Sequence, residues 1–365
     1  GRPFDCNGAA RLGQQLFFEP LLSGPIVDGK PVGKTSCSTC HASSIKDDPG
    51  WYIDIRQSNA VSQGASSPTP HNTLSLVNVE VGSREWFGWT GQSGDKPCNT
   101  ANDVVNKIAL PKAMQSTPAI VGTAIRSPAY LATYTVVFGV NAPIDDTSVE
   151  QNVELALAAY MRRLVSLEAP FDAFIRGDDA AISDEAKRGF ALFVGRAMCG
   201  ECHRGGTFSD DTFHVTGVED AAFDAGHFGT GGFYTSRLRN VEKTAPYMHK
   251  GTLATLGDVI EFYRWGGSQA GYTGERDPLM QPFELDDADA KDLEAFLRTL
   301  TGKPIPTELR KDTHAAQACS VPNSTNQGLV CDGACRDVVN DPMYCGNCTT
   351  KCATGGYCMG GVCGP

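Results

Sequence analysis

Residues 37–41 read CSTCH and residues 199–203 read CGECH, and these two stretches decide how the rest of the chain is read. Two thiols three positions apart can add to the two vinyl groups of one porphyrin. The adjacent histidine then lies beneath the iron as its proximal ligand. Each motif therefore predicts one covalently attached c-type haem, on Cys37, Cys40 and His41 for the first and on Cys199, Cys202 and His203 for the second. The competing reading, a redox dithiol or half of a zinc site beside a chance histidine, suits a single motif better than a pair. A third pair, Cys345 and Cys348, is followed by Thr349 and is not counted as a haem site.

Outward from the motifs, 365 residues with 41% hydrophobic content allow two domains of ordinary size and a tail. The net charge of −11 argues against nucleic acid as a partner, because phosphate binding needs a basic surface. No uninterrupted apolar run approaches the length of a membrane span. The chain opens directly into Gly-Arg-Pro-Phe and is read as already processed. Of the fourteen cysteines, Cys6 and Cys98 are expected to pair. Eight more, from Cys319 to Cys363, are expected to form four bridges among themselves, with a zinc site as the alternative. Dense cysteine outside metal motifs points to an oxidising compartment. Attachment of c-type haem also happens outside the bacterial cytoplasm, so a periplasmic or secreted protein is expected.

The periodicity predicts a mostly α fold. Apolar residues at helical spacing mark Gly8–Phe18 (Leu12, Leu16, Phe17), ended by Pro20. Val149–Leu167 reads as an amphipathic helix with Leu155, Leu157, Met161 and Leu164 on one side. Asp178–Ser183 is a polar break, and Asp184–Val194 leads into the second motif. Thr255–Tyr263 and Asp286–Leu300 complete the set, the latter with Leu293, Phe296, Leu297 and Leu300 in register. Strand signals are weak. Lys303–Thr313, with two prolines and alternating charge, reads as a linker. The expected organisation is two cytochrome c-like haem domains packed together, residues 1–175 and 176–305, then residues 306–365 as linker and disulfide-rich module. That tail is too poor in large apolar residues to stand without cross-links.

With both motifs placed, the chain resembles the bacterial di-haem cytochrome c peroxidase and MauG-type family over roughly residues 9–302. The segments that carry the resemblance are LGQQLFFEPLLS (12–23), HNTLSLVNV (71–79), FGWTGQ (87–92) and RLRNVEKTAPYMHKGTLATLGDVIEFY (237–263). The resemblance implies that Trp89 is the tryptophan between the two haems, acting as an electron relay. It implies an inter-domain calcium ion held by Asn78 and the carbonyls of Thr244 and Pro246, hard oxygen ligands of the kind calcium takes. It places Arg239 near the second haem, where it can pair with a propionate.

Two positions depart from the peroxidases. Their methionine ligand to the second haem is replaced by Tyr263, as in the MauG-type enzymes, with Met248 and Met280 as outside alternatives. A phenolate is hard and anionic, so it favours oxidised iron and lowers the potential. Their displaceable histidine, sixteen residues after His41, is Gln57, so the first haem is expected to be open to peroxide. The family's distal glutamate aligns with Ala113. Asp103, at the neighbouring distal position, is the candidate to move the proton that lets the O–O bond break; Lys107 and Lys112 are lesser candidates.

Three functions compete. A MauG-type oxidase would use hydrogen peroxide to form high-valent iron and then oxidise a protein or other external substrate; Tyr263, Trp89 and the missing histidine favour it. A cytochrome c peroxidase would reduce peroxide with electrons from a small redox protein. A non-catalytic electron carrier is kept alive by Ala113.

Overall fold

The computed structural model describes residues 6–27, 30–31, 33, 35–41, 71–82, 86–91, 105, 114–127, 129–139, 145–219 and 224–313. In the tail it describes 318–320, 327–331, 334–337, 340–343, 345, 352–354, 356–359 and 362–364. Gln57, Cys98, Asp103, Lys107, Lys112, Ala113 and the side chain of Cys6 lie outside that set, and with them the expected Cys6–Cys98 bridge. Among the described residues the helices are α1 (Cys6–Phe17), α2 (Cys37–His41), α3 (Pro118–Ile125), α4 (Leu131–Phe138), α5 (Asp146–Met161), α6 (Pro170–Ile175), α7 (Asp184–Val194), α8 (Leu256–Arg264) and α9 (Asp287–Arg298). The strands are short, as the weak signals implied: β1 (Ile26–Val27) pairs with β2 (Lys30–Pro31), and β3 (Phe213–His214) pairs with β4 (Phe233–Tyr234). Residues 1–311 form one compact unit and residues 312–365 a second.

Helix ends follow local chemistry. Ser183 caps α7 by accepting from the Ala186 N–H, and Asp286 caps α9 by accepting from Ala288 and Asp289. Thr255 and Asp258 form a reciprocal capping box at the start of α8. Helix α5 stops at Met161, short of the expected Leu167. Beyond it the Asn78 side chain takes both backbone groups of Ser166, its Nδ2 donating to the carbonyl at 2.7 Å and its Oδ1 accepting from the N–H at 2.8 Å. The buried face of α5 is Val149, Val153, Ala156, Leu157 and Tyr160, while Leu155, expected inside, is 41% exposed. Helices α3 and α4 escaped the sequence reading because they are short and apolar almost all round, which leaves no periodic contrast to detect.

Two hydrophobic cores result. The first joins α1, α3, α4 and α5 around Leu12, Leu16, Phe17, Ile125, Tyr130, Tyr134 and Tyr160. The second joins α6, α7, α8 and α9 around Phe171, Phe193, Phe208 and Phe296. Its Phe171–Phe296 and Phe193–Phe296 centroids lie 5.2 and 5.0 Å apart, the range where aromatic pairs add about 0.5–1.5 kcal/mol beyond burial. Helix α6 thus packs with the second core, although it precedes the expected boundary at 175.

The segment read as a linker is largely built into the first core. Ile305 is fully buried there. Gln14 Nε2 donates to the Glu308 and Lys311 carbonyls at 2.6 and 3.0 Å, and the Tyr160 hydroxyl donates to the Leu309 carbonyl at 2.6 Å. Two prolines signal an interrupted helix; they do not say whether the irregular chain is free or strapped down.

In the tail unit, β5 (Ala318–Ser320), β6 (Gln327–Cys331) and β7 (Ala334–Arg336) form one antiparallel sheet, and β8 (Tyr357–Met359) pairs with β9 (Val362–Gly364). Cys345–Cys358 and Cys352–Cys363 are bonded in an interlaced pattern. These four sulfurs are therefore unavailable as zinc thiolates.

Candidate functional site

The second CxxCH motif follows directly from α7. Met198 takes a left-handed conformation (φ 53°), and a single 3₁₀ turn over Cys199–Glu201 carries the chain to His203. His203 Nδ1 lies 3.0 Å from the Phe208 carbonyl oxygen. A carbonyl only accepts, so Nδ1 carries the proton and the Nε2 lone pair is left for a metal. Burial pushes the His203 pKa below its ordinary value and keeps the ring neutral. His41 follows the same pattern: its ring is bonded to the Leu74 carbonyl, and burial lowers its pKa to about 4.

The four motif cysteines are the free thiols among the described residues. Burial pushes Cys37 and Cys199 up to about 12, so both are neutral. Two overlapping lobes of a cleft adjoin Cys199 and His203, with about 1460 and 920 Å³ of space counted out to their mouths. Trp89, Tyr234, Met248, Tyr263 and Phe283 line both lobes. A buried apolar cleft, two thiols at its motif and a histidine with its tautomer fixed fit a covalently held haem.

Tyr263 enters the cleft from α8. Burial, then the neighbouring Cys199 and Cys202, push its pKa above the ordinary value. A phenol so placed keeps its proton unless a cation compensates the phenolate charge. Met280 lines only the second lobe.

Trp89, on the wall of the cleft, is tied to the segment that also holds His41. Its Nε1 donates to the Asn72 carbonyl at 2.7 Å, in the same segment whose Leu74 carbonyl holds His41 and whose Thr73 and Leu74 line the first lobe of the cleft. Its ring meets His249 edge to face at 6.4 Å, and His249 stacks on Phe233 at 3.6 Å.

The expected calcium ligands are not arranged as read. Asn78 spends both amide atoms on Ser166. Asn72, which the sequence reading passed over, has its Nδ2 2.8 Å from the Pro246 carbonyl oxygen and 3.3 Å from that of Met248. Asn72 Oδ1 is buried without a hydrogen-bond partner among the described residues. Amide orientation is set by the surrounding network. Turned over, Oδ1 would face the Pro246 oxygen, an arrangement that a cation between them stabilises.

Arg239 also has a partner other than the expected one. It makes a fork to Asp172 at 2.8 and 2.9 Å, and its Nε donates to the Gly206 carbonyl at 2.5 Å. The Arg239 fork holds the Asp172 carboxyl below the ordinary range. Three of the five guanidinium N–H groups thus bind protein, although the side chain still borders the cleft.

His214, to which the sequence reading assigned no chemistry, lies beside Cys202. Its Nδ1 is 2.7 Å from Asp277 and its Nε2 is 2.9 Å from Asp210. Its hydrogen bonds to Cys202, Asp210 and Asp277 raise its pKa to about 10, and with both ring nitrogens donating to carboxylates it stands as a clamped imidazolium. Nothing in its spacing from the motif signals this, because Asp277 reaches it from far along the chain.

Residues 7–180 match the family described as di-haem cytochrome c peroxidase, and residues 303–365 match the stigma-specific STIG1-like protein family. The methylamine utilization protein MauG of Methylorubrum extorquens is 34% identical over 308 residues, covering 82% of this chain and 79% of that relative. The cytochrome c551 peroxidase of Nitrosomonas europaea is 29% identical over 326 residues, covering 84% of this chain and 86% of the relative. A crystal structure of a MauG-like protein associated with microbial copper homeostasis matches the fold with TM-score 0.69 at 24% identity, covering 85% of this chain and 94% of that one. On the relatives and the two motifs together, this chain belongs to the di-haem cytochrome c peroxidase family, peroxide-dependent oxidoreductases that carry two c-type haems.

Proposed function

We propose that this chain is a MauG-type oxidase that takes oxidising equivalents from hydrogen peroxide and passes them to a protein side chain outside itself. The observation that carries the reading is Tyr263, whose phenol faces the same cleft as His203. As a ligand to the second haem it would supply the compensating anion that oxidised iron needs, and the iron would supply the cation that the buried phenolate needs.

Cys37 and Cys40 would bond the first haem and His41 would ligate it; Cys199, Cys202 and His203 would do the same for the second. When bound, these groups supply reversible one-electron chemistry and a place for peroxide to be reduced. The chain's own residues do the rest. The Leu74 and Phe208 carbonyls orient the proximal imidazoles. Trp89, anchored to Asn72, would relay charge between the two haem sites. Asp103 moves the proton at the first haem. A calcium ion is assigned to Asn72 with the carbonyls of Thr244 and Pro246, in place of Asn78, because Asn72 has the uncommitted buried oxygen. Attachment of both haems and the bonded tail suit the periplasm or an extracellular setting.

The test is to mix the holoenzyme with peroxide and follow the optical spectrum, then supply a small reduced redox protein. The expected result is a long-lived oxidised state that the donor discharges slowly. Rapid steady turnover of the donor would make the chain a cytochrome c peroxidase, and no spectral response would make it an electron carrier.

A further inference from the structure

Tyr234 is a buried phenol with no role in the chemistry above. It is 2% exposed and lines both lobes of the cleft with Trp89, His203 and Tyr263. Its backbone N–H donates to the Trp89 carbonyl at 2.8 Å. Its hydroxyl donates to Asp211 Oδ1, the same oxygen that Arg237 Nη2 approaches at 3.3 Å. The Asp211 side chain is 28% exposed, so it stands between the buried phenol and water. Its backbone is held at φ 57°, with the Asp211 N–H donating to Ser209 Oγ at 3.0 Å. A non-glycine residue stays in that region only where its surroundings over-determine it.

Burying a tyrosine requires only that its hydroxyl find a partner, and a carbonyl suffices. Tyr160 and Tyr247 are satisfied in that way, by Leu309 and Val241. A carbonyl cannot take the proton away; a carboxylate can. Tyr130 also donates to a carboxylate, that of Glu19, but it borders neither lobe of the cleft. Tyr234 combines the proton acceptor with a place beside Trp89.

We propose that Tyr234 and Asp211 form a proton-coupled redox site in the cleft. The inference rests on the peroxide-driven reading above. The Tyr234 ring gives up one electron, which fills an oxidising equivalent left by hydrogen peroxide. Its O–H bond breaks, and the proton goes to Asp211. The products are a neutral phenoxyl radical and a carboxylic acid. A carboxylate can accept the proton that an oxidised phenol, a strong acid, releases, and Arg237 Nη2 lies 3.3 Å from the same Asp211 oxygen.

The test freezes the holoenzyme milliseconds after mixing with peroxide and records its electron paramagnetic resonance spectrum beside the haem absorption. A second arm generates the oxidant photochemically from a dissolved ruthenium complex, without peroxide. The expected result in both arms is an organic radical whose signal narrows when the protein is made with ring-deuterated tyrosine. It should vanish in Tyr234→Phe and persist in Tyr130→Phe. Asp211→Asn should slow its formation by about a hundredfold, the low end for losing a positioned proton acceptor, and Asp211→Glu should restore part of the rate. Haem absorption unmoved by peroxide would defeat the peroxide reading and leave the photochemical arm to decide this one. No radical in that arm, a line shape indifferent to deuteration, or an unchanged signal in Tyr234→Phe would overturn the proposal.

Discussion

The two cores are assembled by the same device. A Cβ built on Gly13 in α1 would lie 1.9 Å from the Ala156 carbonyl oxygen in α5, and one built on Gly189 in α7 would lie 1.8 Å from the Asp292 carbonyl oxygen in α9. In each core a glycine lets two helices touch backbone to backbone. In each, the motif histidine is bonded to a carbonyl through its ring. The difference lies in what fills the rest. The second core is a phenylalanine cluster, Phe171, Phe193, Phe208 and Phe296, that needs no polar partner. The first buries Tyr130, Tyr134 and Tyr160, each with its hydroxyl bonded: to Glu19, Asn152 and the Leu309 carbonyl. The third of these bonds recruits the chain after residue 302 as a strap. One scaffold is thus used twice, and what distinguishes the halves is which aromatic side chains fill them: tyrosines with bonded hydroxyls in the first, a phenylalanine cluster in the second.

The largest expected effect breaks the pair outright. Replacing Cys199 and Cys202 together by serine should remove one covalent haem from the intact mass and leave the spectrum of the other in place. Loss of both would show that the two halves do not fold separately.

Gly13→Val and Gly189→Val test the shared crossing. Each forces a side chain against a backbone carbonyl, so each should cost about 3 kcal/mol, the upper end for overpacking. That corresponds to a fall of roughly 6–12 °C in Tm, read by thermal melts of the holoprotein. A negligible loss in one variant alone would mean the two crossings are not equivalent.

Tyr263→Met sharpens the contrast at the second haem. It should raise that haem's potential by the order of 0.1 V, a fraction of the range axial ligands span, and add a methionine-to-iron charge-transfer band. Redox titration and near-infrared absorption read both. An unchanged second haem would return Tyr263 to the role of a wall residue and turn attention to Met248.

The smallest effect concerns Arg239 and Asp172, each 12% exposed at the side chain. The hydrogen bond from Arg239 depresses the Asp172 pKa. The stabilisation it brings is therefore complete above the unfolded value of about 3.9 and is lost as pH falls through the lower folded value. Asp172→Asn should cost about 1–2 kcal/mol at neutral pH, and the gap from wild type should close as the pH is taken below about 4. A gap independent of pH would show that the fork contributes through shape rather than charge.

Much of this was legible from one end of the chain to the other. The motif spacing determined the number of haems, because thioether chemistry admits few arrangements. Capped amphipathic segments such as Asp184–Val194 and Asp286–Leu300 announced their helices, because burial of one face and satisfaction of free N–H groups are local requirements. Tertiary structure alone decided the partners. Asn72 reaches Pro246 while Asn78 is spent on Ser166; Arg239 turns to Asp172; His214 is clamped by Asp277; Gln14 holds the chain at Glu308 and Lys311; and Tyr234 meets Asp211. Most of these pairs join residues far apart in sequence, and even where the separation is modest the pairing depends on the path of the folded chain. Which of two similar donors or acceptors finds a partner is set by where folding brings them together, a fact that residue type and spacing along the chain do not carry.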